Sequence, residues 1–446
     1  QLQEAAASYR VAISLQPTYW EAHAHLGAAL KDLGEFDNAL AALREAIRLR
    51  PRVDWLHLRL GNTLKECWRL DEALDAYRAA LALNPAYVEC YNNAGSVLVE
   101  LAHFDEAAAA FQQALTHDAR SQAARYNLAL LPLRLGNYER GWPLYEARSF
   151  IVEQHRLACR PRWTGQLLEG STIFLHAEQG LGDTIQFSRF APLLAEKGAR
   201  VILEVPRKML RLFRNLEGVT HLIAQGDEVP PFDFHCPLMS VPCGLGTTLD
   251  TVPASSSYLT CEEERRLHWR NKLGTHGFKI GITWQGNPKS PSERGRSAPL
   301  AQFARLADIP GVRLISLQKI NGMEQLDQLP AYSKIETLGS EFDAGPDAFV
   351  DTAAVMMELD LVVTVCTSIA HLAGALGRPT WLALQAVPYW LWMQDRSDTP
   401  WYPSFRLFRQ RERGAWPQVF DDMEQALRHH LVPNSLSPAS PKPGTI

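Results

Sequence analysis

A spacing of 34 residues recurs through the first third of the chain and limits what that part can fold into. Small residues at this spacing allow two antiparallel helices to pack closely, aromatic residues fill the gap, and proline ends the second helix. The series are Pro17, Pro51 and Pro85; Gly27, Gly61, Gly95 and then Ala129; Ala39, Ala73 and Ala107; Ala46, Ala80 and Ala114; and the aromatic pair Tyr77 and Phe111. The pattern therefore predicts stacked helical hairpins.

This period and choice of residues match the tetratricopeptide repeat, and we predict an α-solenoid over residues 1–150. Complete repeats are expected at 17–50, 51–84 and 85–118, with a half repeat before them and a divergent repeat at 119–150. The inner groove of such an array usually binds an extended peptide. Asn93 and Asn127 are predicted to bind the acceptor there, although they are equally well explained as ordinary solvated residues.

Composition excludes several other classes. Of the 446 residues 46% are hydrophobic and 21% charged, as in soluble proteins of several domains, and the net charge of −4 provides no basic field for nucleic acid. The 7 cysteines form no Cys-x-x-Cys pair, which argues against a zinc site and favours the cytoplasm. No apolar run reaches the length of a membrane span. A homodimer is compatible with a repeat array.

Beyond a connector at 151–170, apolar strands alternate with amphipathic helices up to about residue 431. This alternation predicts two Rossmann-like α/β lobes facing across a cleft, at 171–260 and 261–432, the second ending in a closing helix. Residues 433–446 are rich in Pro and Ser and are predicted to be disordered. The expected fold class is thus α plus α/β.

The first candidate loop joins a strand predicted at 172–177 to a helix predicted at 185–197. Gly180 and Gly182 allow the backbone to approach a ligand, and the free N–H groups of the helix point at an anion. Asp183 is the candidate catalytic base, and capping of the helix is an equally weighted and compatible role. Thr184 is placed with the donor-binding residues. The loop is Glu178-Gln179-Gly180-Leu181-Gly182-Asp183-Thr184.

Two further loops at strand ends supply the other donor-binding candidates. Hydroxyls and N–H groups at a helix N-terminus and cations in a loop both suit a phosphate group. Each type of candidate also has a purely structural explanation: the hydroxyl residues can be helix caps, the histidine a packed structural residue, and the arginine a solvated loop charge. No Asp-x-Asp pair is placed for a metal, so a reaction without metal or other cofactor is expected. The candidates are Gln285, Asn287, Arg296, Lys319, Thr367, Ser368 and His371.

With these residues assembled, the chain resembles the bacterial tetratricopeptide-repeat glycosyltransferases, whose catalytic half is similar to the two-lobed (GT-B) heptosyltransferase family. The resemblance covers about residues 10–430 and is carried by the first loop through Phe187, by Arg296-Ser297-Ala298-Pro299-Leu300, by 371–377 and by Trp401-Tyr402-Pro403. It implies an inverting transfer from a nucleotide-sugar donor in the second lobe to a protein or other polymer acceptor held by the repeats. It also implies Asp183 as the base.

Three departures from the family pattern leave an alternative open. Family members usually have Asp where this chain has Cys366, and charged residues where it has Tyr389 and Leu391. A catalytically degenerate repeat scaffold for protein–protein interaction is therefore the alternative to an enzyme. A reactive Cys366 nucleophile is a minor hypothesis beside a buried thiol. A nucleotide-dependent oxidoreductase is disfavoured because the Gly-x-Gly-x-x-Gly fingerprint is incomplete.

Overall fold

A computed structural model describes residues 1–151, 160–290, 293–330 and 333–431, without side chains at 149–151. The chain divides into two compact units, Gln1–Gln154 and His155–Ile446. The tail predicted at 433–446 and residues 152–159 of the predicted connector lie outside the described residues. None of the described helices combines the length and the apolar character needed to cross a bilayer.

The first unit is built from antiparallel helix pairs, in which α2 packs on α3, α4 on α5, α6 on α7 and α8 on α9. The first helices of consecutive repeats (α2, α4, α6 and α8) also contact one another and form the inner face. The helices are α1 Leu2–Leu15, α2 Trp20–Asp32, α3 Phe36–Leu49, α4 Asp54–Glu66, α5 Leu70–Leu83, α6 Val88–Glu100, α7 Phe104–His117, α8 Gln122–Arg134 and α9 Tyr138–Tyr145, followed by a 3₁₀ helix at Glu146–Ile151.

Glycine against an aromatic ring is the packing unit of the repeats. A Cβ on Gly61 would lie 2.5 Å from Cε1 of Tyr77, and a Cβ on Gly95 would lie 2.6 Å from Cε1 of Phe111. Both rings are buried, with 0% and 1% of their surface exposed. The predicted role of the small and aromatic positions is confirmed, because only the absence of a side chain lets the ring reach the facing helix.

The second unit contains two parallel sheets. The first has the order β3-β2-β1-β4 and the second the order β10-β9-β8-β5-β6-β7. The first sheet and its helices are β1 Thr172–His176, α10 Leu181–Ser188, α11 Ala191–Glu196, β2 Arg200–Val205, α12 Leu210–Phe213, β3 Val219–Ala224, β4 Phe234–Pro237 and α13 Val241–Gly244. The second comprises α14 Glu263–Leu273, β5 Phe278–Thr283, α15 Leu300–Ala304, β6 Val312–Ser316, α16 Glu324–Gln328, β7 Ile335–Glu336, α17 Val350–Met357, β8 Leu361–Val365, α18 Ser368–Ala375, β9 Thr380–Leu384, β10 Phe405–Arg409 and α19 Trp416–Leu431.

The strand orders decide where a ligand would bind. In each sheet the second and third strands are added on one side of the first strand, and the next strand is added on its other side. This is the strand order of dinucleotide-binding folds. The direction reverses between β1 and β4 in the first sheet and between β5 and β8 in the second. The crevice at such a switch point binds ligands at the carboxyl ends of the strands. The loops after β1, β5 and β8 therefore occupy the expected positions.

The single helix predicted at 185–197 is wrong. Helix α10 starts earlier, at Leu181, and ends at Ser188, and α11 starts at Ala191. Pro192 explains the break, because it has no N–H to donate and its ring would clash with the carbonyl of Ser188 in a continuous helix. Helix α17 and strand β10 had no predicted counterpart.

The closing helix predicted at 418–431 is confirmed as α19, which begins two residues earlier, at Trp416. Its apolar face joins the core of the second sheet through Val419, Phe420, Met423 and Leu427. Phe420 also packs edge-on against Phe303 with ring centroids 4.6 Å apart. The helix thus covers one face of the sheet that carries β5 and β8.

Gly61→Ala is expected to lower the free energy of unfolding of the repeat unit. Alanine favours a helix by about 1 kcal/mol, but overpacking a buried ring costs about 1–3 kcal/mol, and Tyr77 has no room to move. Urea unfolding followed by circular dichroism measures the change. In a Tyr77→Ala background the same substitution should be neutral or stabilising. Equal losses in both backgrounds would contradict the packing explanation.

Candidate functional site

Helices α10 and α18, which come from different sheets, pack directly against each other. A Cβ on Gly182 would lie 3.4 Å from Cα of Ser368 and 2.8 Å from Cδ2 of His371. Both contacts involve the first turns of the two helices, so their N-terminal ends meet. Since each end carries free N–H groups and a partial positive charge, their meeting point favours an anion.

Asp183 stands in the first turn of α10 and is partly exposed. Its Oδ2 accepts a hydrogen bond of 3.0 Å from the backbone N–H of Gly180, the N-cap residue, as in a capping box. Asp183 therefore supports the start of the helix from its third position, while Gly180 occupies the N-cap position that was predicted for Asp183. The role as catalytic base stays a prediction, since one carboxylate can perform both tasks.

The neighbouring Thr184 is placed differently from the prediction. Its side chain is 1% exposed, and its hydroxyl donates to the carbonyl of Gly180 at 3.2 Å. A buried hydroxyl that is already paired within the helix cannot reach a donor. Thr184 therefore supports the glycine turn and does not belong to the binding surface.

Thr367 and Ser368 begin α18, as predicted. The Thr367 hydroxyl accepts a hydrogen bond of 3.3 Å from the N–H of Ile369 and so caps the helix. Both residues are partly exposed. Capping uses the Thr367 oxygen as an acceptor, and the hydroxyl hydrogen still offers a donor to an anion.

The predicted cation Arg296 is paired within its own loop. Its Nη2 lies 2.6 Å from Oε2 of Glu293, and only 21% and 11% of the two side chains are exposed. Glu293 also accepts a hydrogen bond from the hydroxyl of Ser297, which in turn accepts one of 3.1 Å from the N–H of Gly286. Sequence reasoning missed Glu293, although an acid three residues before an arginine in a short loop is a usable signal.

The other candidates of the β5 and β6 loops serve the loops themselves. Oε1 of Gln285 accepts from Nε2 of Gln325 at 2.9 Å. Asn287 is exposed, and its Oδ1 accepts from the N–H of Lys289 at 3.1 Å. Lys319 is exposed on the loop after β6, and its ammonium donates to the carbonyl of Asp343. These contacts give none of the three a link to Arg296 or Asp183.

The Cys366 thiol is 9% exposed at the end of β8 and accepts a hydrogen bond of 3.0 Å from Nε1 of Trp392. Burial raises the pKa of this thiol, outweighing the opposing effect of Arg296. Burial and the contact with Trp392 favour the structural role of a buried thiol over that of a nucleophile, because the reactive form would be a thiolate. Asp183, Arg296 and Glu293 all act on Cys366 electrostatically, so the loops after β1 and β5 both approach the end of β8.

His371 is a packed residue and not a ligand-binding one. It is 6% exposed, its Nδ1 is 2.9 Å from the hydroxyl of Tyr402, and its ring stacks on Trp392 with centroids 5.5 Å apart. Burial, assisted by Arg189 and Arg296, lowers the pKa of His371 from 6.5 to about 3. The imidazole is therefore neutral and cannot supply positive charge to a phosphate.

Arg189 was not predicted and ties the two sheets together. It is 3% exposed and follows α10, yet its guanidinium donates to the carbonyls of Pro253 at 3.3 Å and Trp401. It also lies 4.4 Å from the ring centroid of Tyr402. An arginine inside the apolar run 185–194 is the sequence signal, because a buried charge requires fixed partners.

The two asparagines of the repeat groove bridge neighbouring first helices. Nδ2 of Asn93 donates to Oδ1 of Asn62 at 2.9 Å, and Nδ2 of Asn127 donates to Oδ1 of Asn92 at 2.9 Å. They are therefore not merely solvated surface residues. Each bridge leaves the carbonyl oxygen of Asn93 or Asn127 for a ligand, so their acceptor-binding role stays a prediction.

A polar cavity of about 490 Å³ lies apart from these loops, between α12 and α14. Two arginines line it, and one of them, Arg211, is already paired with Glu262 through Nε–Oε1 and Nη2–Oε2 contacts of 2.6 and 2.5 Å. None of the predicted site residues lines it. Among the described residues, no group of three or more His, Cys, Asp or Glu side chains is arranged to hold a metal ion.

Acid is expected to destabilise the protein partly through His371. Above pH 6.5 His371 is neutral in both the native and the unfolded state. Between pH 6.5 and about 3 only the unfolded state binds the proton, so the free energy of unfolding decreases as the pH is lowered. His371→Asn should reduce this slope by up to ~1.4 kcal/mol per pH unit, measured by denaturant titrations at several pH values. Imidazole NMR shifts provide the control. A His371 midpoint near 6.5 would contradict the prediction.

The first unit matches known repeat proteins. Tetratricopeptide repeat models match residues 20–53, 56–87 and 92–148. A MamA crystal structure has a TM-score of 0.32 and 20% identity, covering 33% of this chain and 85% of that one. The structure of YrrB, described as a tetratricopeptide-repeat protein with an unusual peptide-binding site, has a TM-score of 0.31 and 22% identity, covering 35% and 80%.

A longer sequence match, to one relative, extends over parts of both units. The protein FlbA of Caulobacter vibrioides is 29% identical over 331 residues, which cover 67% of this chain and 54% of FlbA. The chain thus spans about half the length of that relative. Since the repeat unit ends at Gln154 of 446 residues, a match of this extent includes part of the second unit. The chain therefore consists of N-terminal tetratricopeptide repeats followed by a parallel-sheet α/β unit, and it is homologous to FlbA.

Proposed function

We propose that the protein is a glycosyltransferase of GT-B type, in which the repeats hold a protein or other polymer acceptor and the α/β unit transfers a sugar to it. One observation carries this proposal. The first turns of α10 and α18 meet at the switch points of two sheets, with the Asp183 carboxylate in the first turn of α10. An anion site beside a carboxylate suits a sugar joined to a nucleoside diphosphate.

In the proposed reaction, Asp183 takes the proton from an acceptor hydroxyl. The resulting oxygen attacks the anomeric carbon of the sugar, and the bond from that carbon to the diphosphate oxygen breaks, so that the nucleoside diphosphate leaves with the bonding electrons. Attack opposite the leaving group inverts the anomeric configuration. The helix N-termini and Arg296 stabilise the charge that develops on the diphosphate. The nucleotide-sugar is a substrate, and no cofactor enters these steps.

Donor binding in this proposal requires a change in the β5 loop. Arg296 is paired with Glu293 at 2.6 Å, so it must exchange one oxygen of Glu293 for a phosphate oxygen, or share its donors between them. A guanidinium has five N–H donors, which makes sharing feasible. The loop is thereby a determinant of how strongly the donor binds.

A protein-interaction scaffold without catalysis is the second candidate. It is supported by the neutral thiol of Cys366, which stands where the resembled family usually has Asp, and by the ion pair in which Glu293 offsets the charge of Arg296. The family matches lie within the repeats and support a protein-binding role in both candidates. The two candidates differ only in whether the α/β unit turns over a donor.

Asp183→Asn is expected to abolish transfer and to preserve both the fold and donor binding. Asparagine keeps an oxygen that accepts the Gly180 N–H bond of 3.0 Å, so the cap remains while the base is lost. Calorimetry with UDP-, GDP-, dTDP-, ADP- and CMP-linked sugars first identifies the donor. Release of the nucleotide leaving group, a nucleoside diphosphate or, for the CMP-linked sugar, CMP, should then fall by ~10²–10⁴ with that donor.

Asp183→Ala is the matched control variant, because it removes both the base and the hydrogen bond to the Gly180 N–H. It should therefore also lower the free energy of unfolding by about 1 kcal/mol. Near-normal turnover by Asp183→Asn would reject the base. If none of the five donors binds, the scaffold becomes the better description. Restored binding in Cys366→Asp would then indicate that this position inactivated the site.

A further inference from the structure

The segment 245–262 is the linker between the two sheets of the second unit, since it joins α13 to α14. Two lobes that are joined by a linker commonly open and close around a ligand by turning about it. Here the linker is bonded to the layer of the second sheet. The N–H groups of Tyr258 and Leu259 donate to the carbonyl of Ala375, the last residue of α18, at 2.9 and 3.0 Å.

The same stretch of the linker is also bonded to the first sheet. The hydroxyl of Tyr258 donates to the carbonyl of Ile185 in α10 at 2.9 Å and accepts from Nη2 of Arg189, which follows α10, at 3.2 Å. Nη1 of Arg189 donates to the carbonyl of Pro253, earlier in the linker, at 3.3 Å. A hinge needs residues that are free to rotate, and a linker bonded on both sides lacks them at this point.

Arg189 extends this network from the linker to the second sheet. It is 3% exposed, and its guanidinium also donates to the carbonyls of Gln186 at 2.9 Å and of Trp401, which precedes β10. Hydrogen bonds from a charged group are stronger than those between neutral groups. Separating the sheets would break the bond to Trp401 and expose the Trp401 side chain, which is 0% exposed. The closed arrangement is therefore favoured.

A second connection between the sheets is more exposed. Arg211 in α12 pairs with Glu262 at the end of the linker and with Asp347 before α17, at 2.5 and 3.5 Å. The exposed fraction of these three side chains is 30–32%. Ion pairs that are open to solvent contribute little to stability. The buried network around Arg189 is thus the stronger restraint.

We propose that Arg189, Tyr258 and Pro253 form a clamp that keeps the two sheets in one closed arrangement, so that a nucleotide-sugar binds and leaves without separation of the sheets. Arg189 is then a positioning residue. It fixes α10 against α18 and so sets the distance between Asp183 and the N–H groups that would receive the diphosphate. The positioning role rests on the proposed transferase function, whereas the clamp does not.

Hydrogen exchange of the full chain, followed by mass spectrometry, tests the clamp. The N–H groups of Tyr258 and Leu259 exchange when the linker leaves Ala375. In the natural chain these groups should be strongly protected without any donor. Arg189→Gln should raise their exchange rate at least about tenfold. Tyr258→Phe keeps the ring and loses the hydroxyl, so it should raise the rate by a smaller factor, and it serves as the test if Arg189→Gln does not fold.

Calorimetry tests the positioning role, with the donor found among the UDP-, GDP-, dTDP-, ADP- and CMP-linked sugars. Arg189→Gln should raise the Kd of this donor at least about tenfold and leave the number of sites per chain unchanged. A protein that is merely less stable would instead show fewer sites with the same Kd.

Arg313→Gln is the matched control. The Arg313 side chain is 14% exposed and donates to the carbonyls of Leu273 and His276, both at 2.9 Å, but these partners belong to the layer of the second sheet. This variant removes the same charge and similar hydrogen bonds without touching the linker clamp. It should leave the donor Kd and the exchange of the linker unchanged.

Each other outcome overturns one part. Linker amides that are protected only in the presence of the donor would show that the sheets close on it, which overturns the clamp, as would unchanged exchange in both Arg189→Gln and Tyr258→Phe. Faster exchange with an unchanged Kd would reject the positioning role. An equal rise of the Kd in Arg313→Gln would reduce the effect to a general loss of stability. If the natural chain binds no donor while Arg189→Gln opens the linker, the clamp is confirmed and the transferase function fails.

Discussion

The close contact between α10 and α18 is the interaction on which the candidate site depends. It requires glycine at 182, because a Cβ would lie 2.8 Å from the buried ring of His371. His371 is itself held by Tyr402, and Tyr402 packs against the bare backbone of Gly374. Arg189 then joins α10 to the carbonyl of Trp401. A substitution in this chain of contacts would move the two helix N-termini apart and remove the anion site that the proposed reaction needs.

Charge within the site is largely compensated before any ligand binds. Arg296 is paired with Glu293, the pKa of His371 is lowered to about 3, and burial raises the pKa of Cys366. The attraction for a diphosphate would therefore come chiefly from the backbone N–H groups of the two helix ends. Such groups carry no net charge, so the affinity for a diphosphate is limited unless Arg296 also contributes. The balance between Arg296 and Glu293 thus separates a working transferase from a binding scaffold.

The repeat unit combines a closely packed interior with a polar inner face. Gly61 against Tyr77 closes the helix pair, and the hydroxyl of the same tyrosine fixes the amide of Asn62. One side chain therefore closes the helix pair and also orients a polar residue of the inner face.

The sequence by itself determined the repeats and the parallel-strand units, because the 34-residue period and the alternation of apolar strands with helices are local patterns. It also placed Asp183, Thr367 and Ser368 at helix starts. Only the tertiary structure decided that Thr184 and His371 are buried, that Arg296 meets Glu293, and that Asn93 and Asn127 bridge neighbouring helices. Those outcomes depend on burial and on partners distant in sequence, such as Tyr402 and Trp392 around His371. No local pattern encodes such partners, because packing selects them only when the sheets and helices come together.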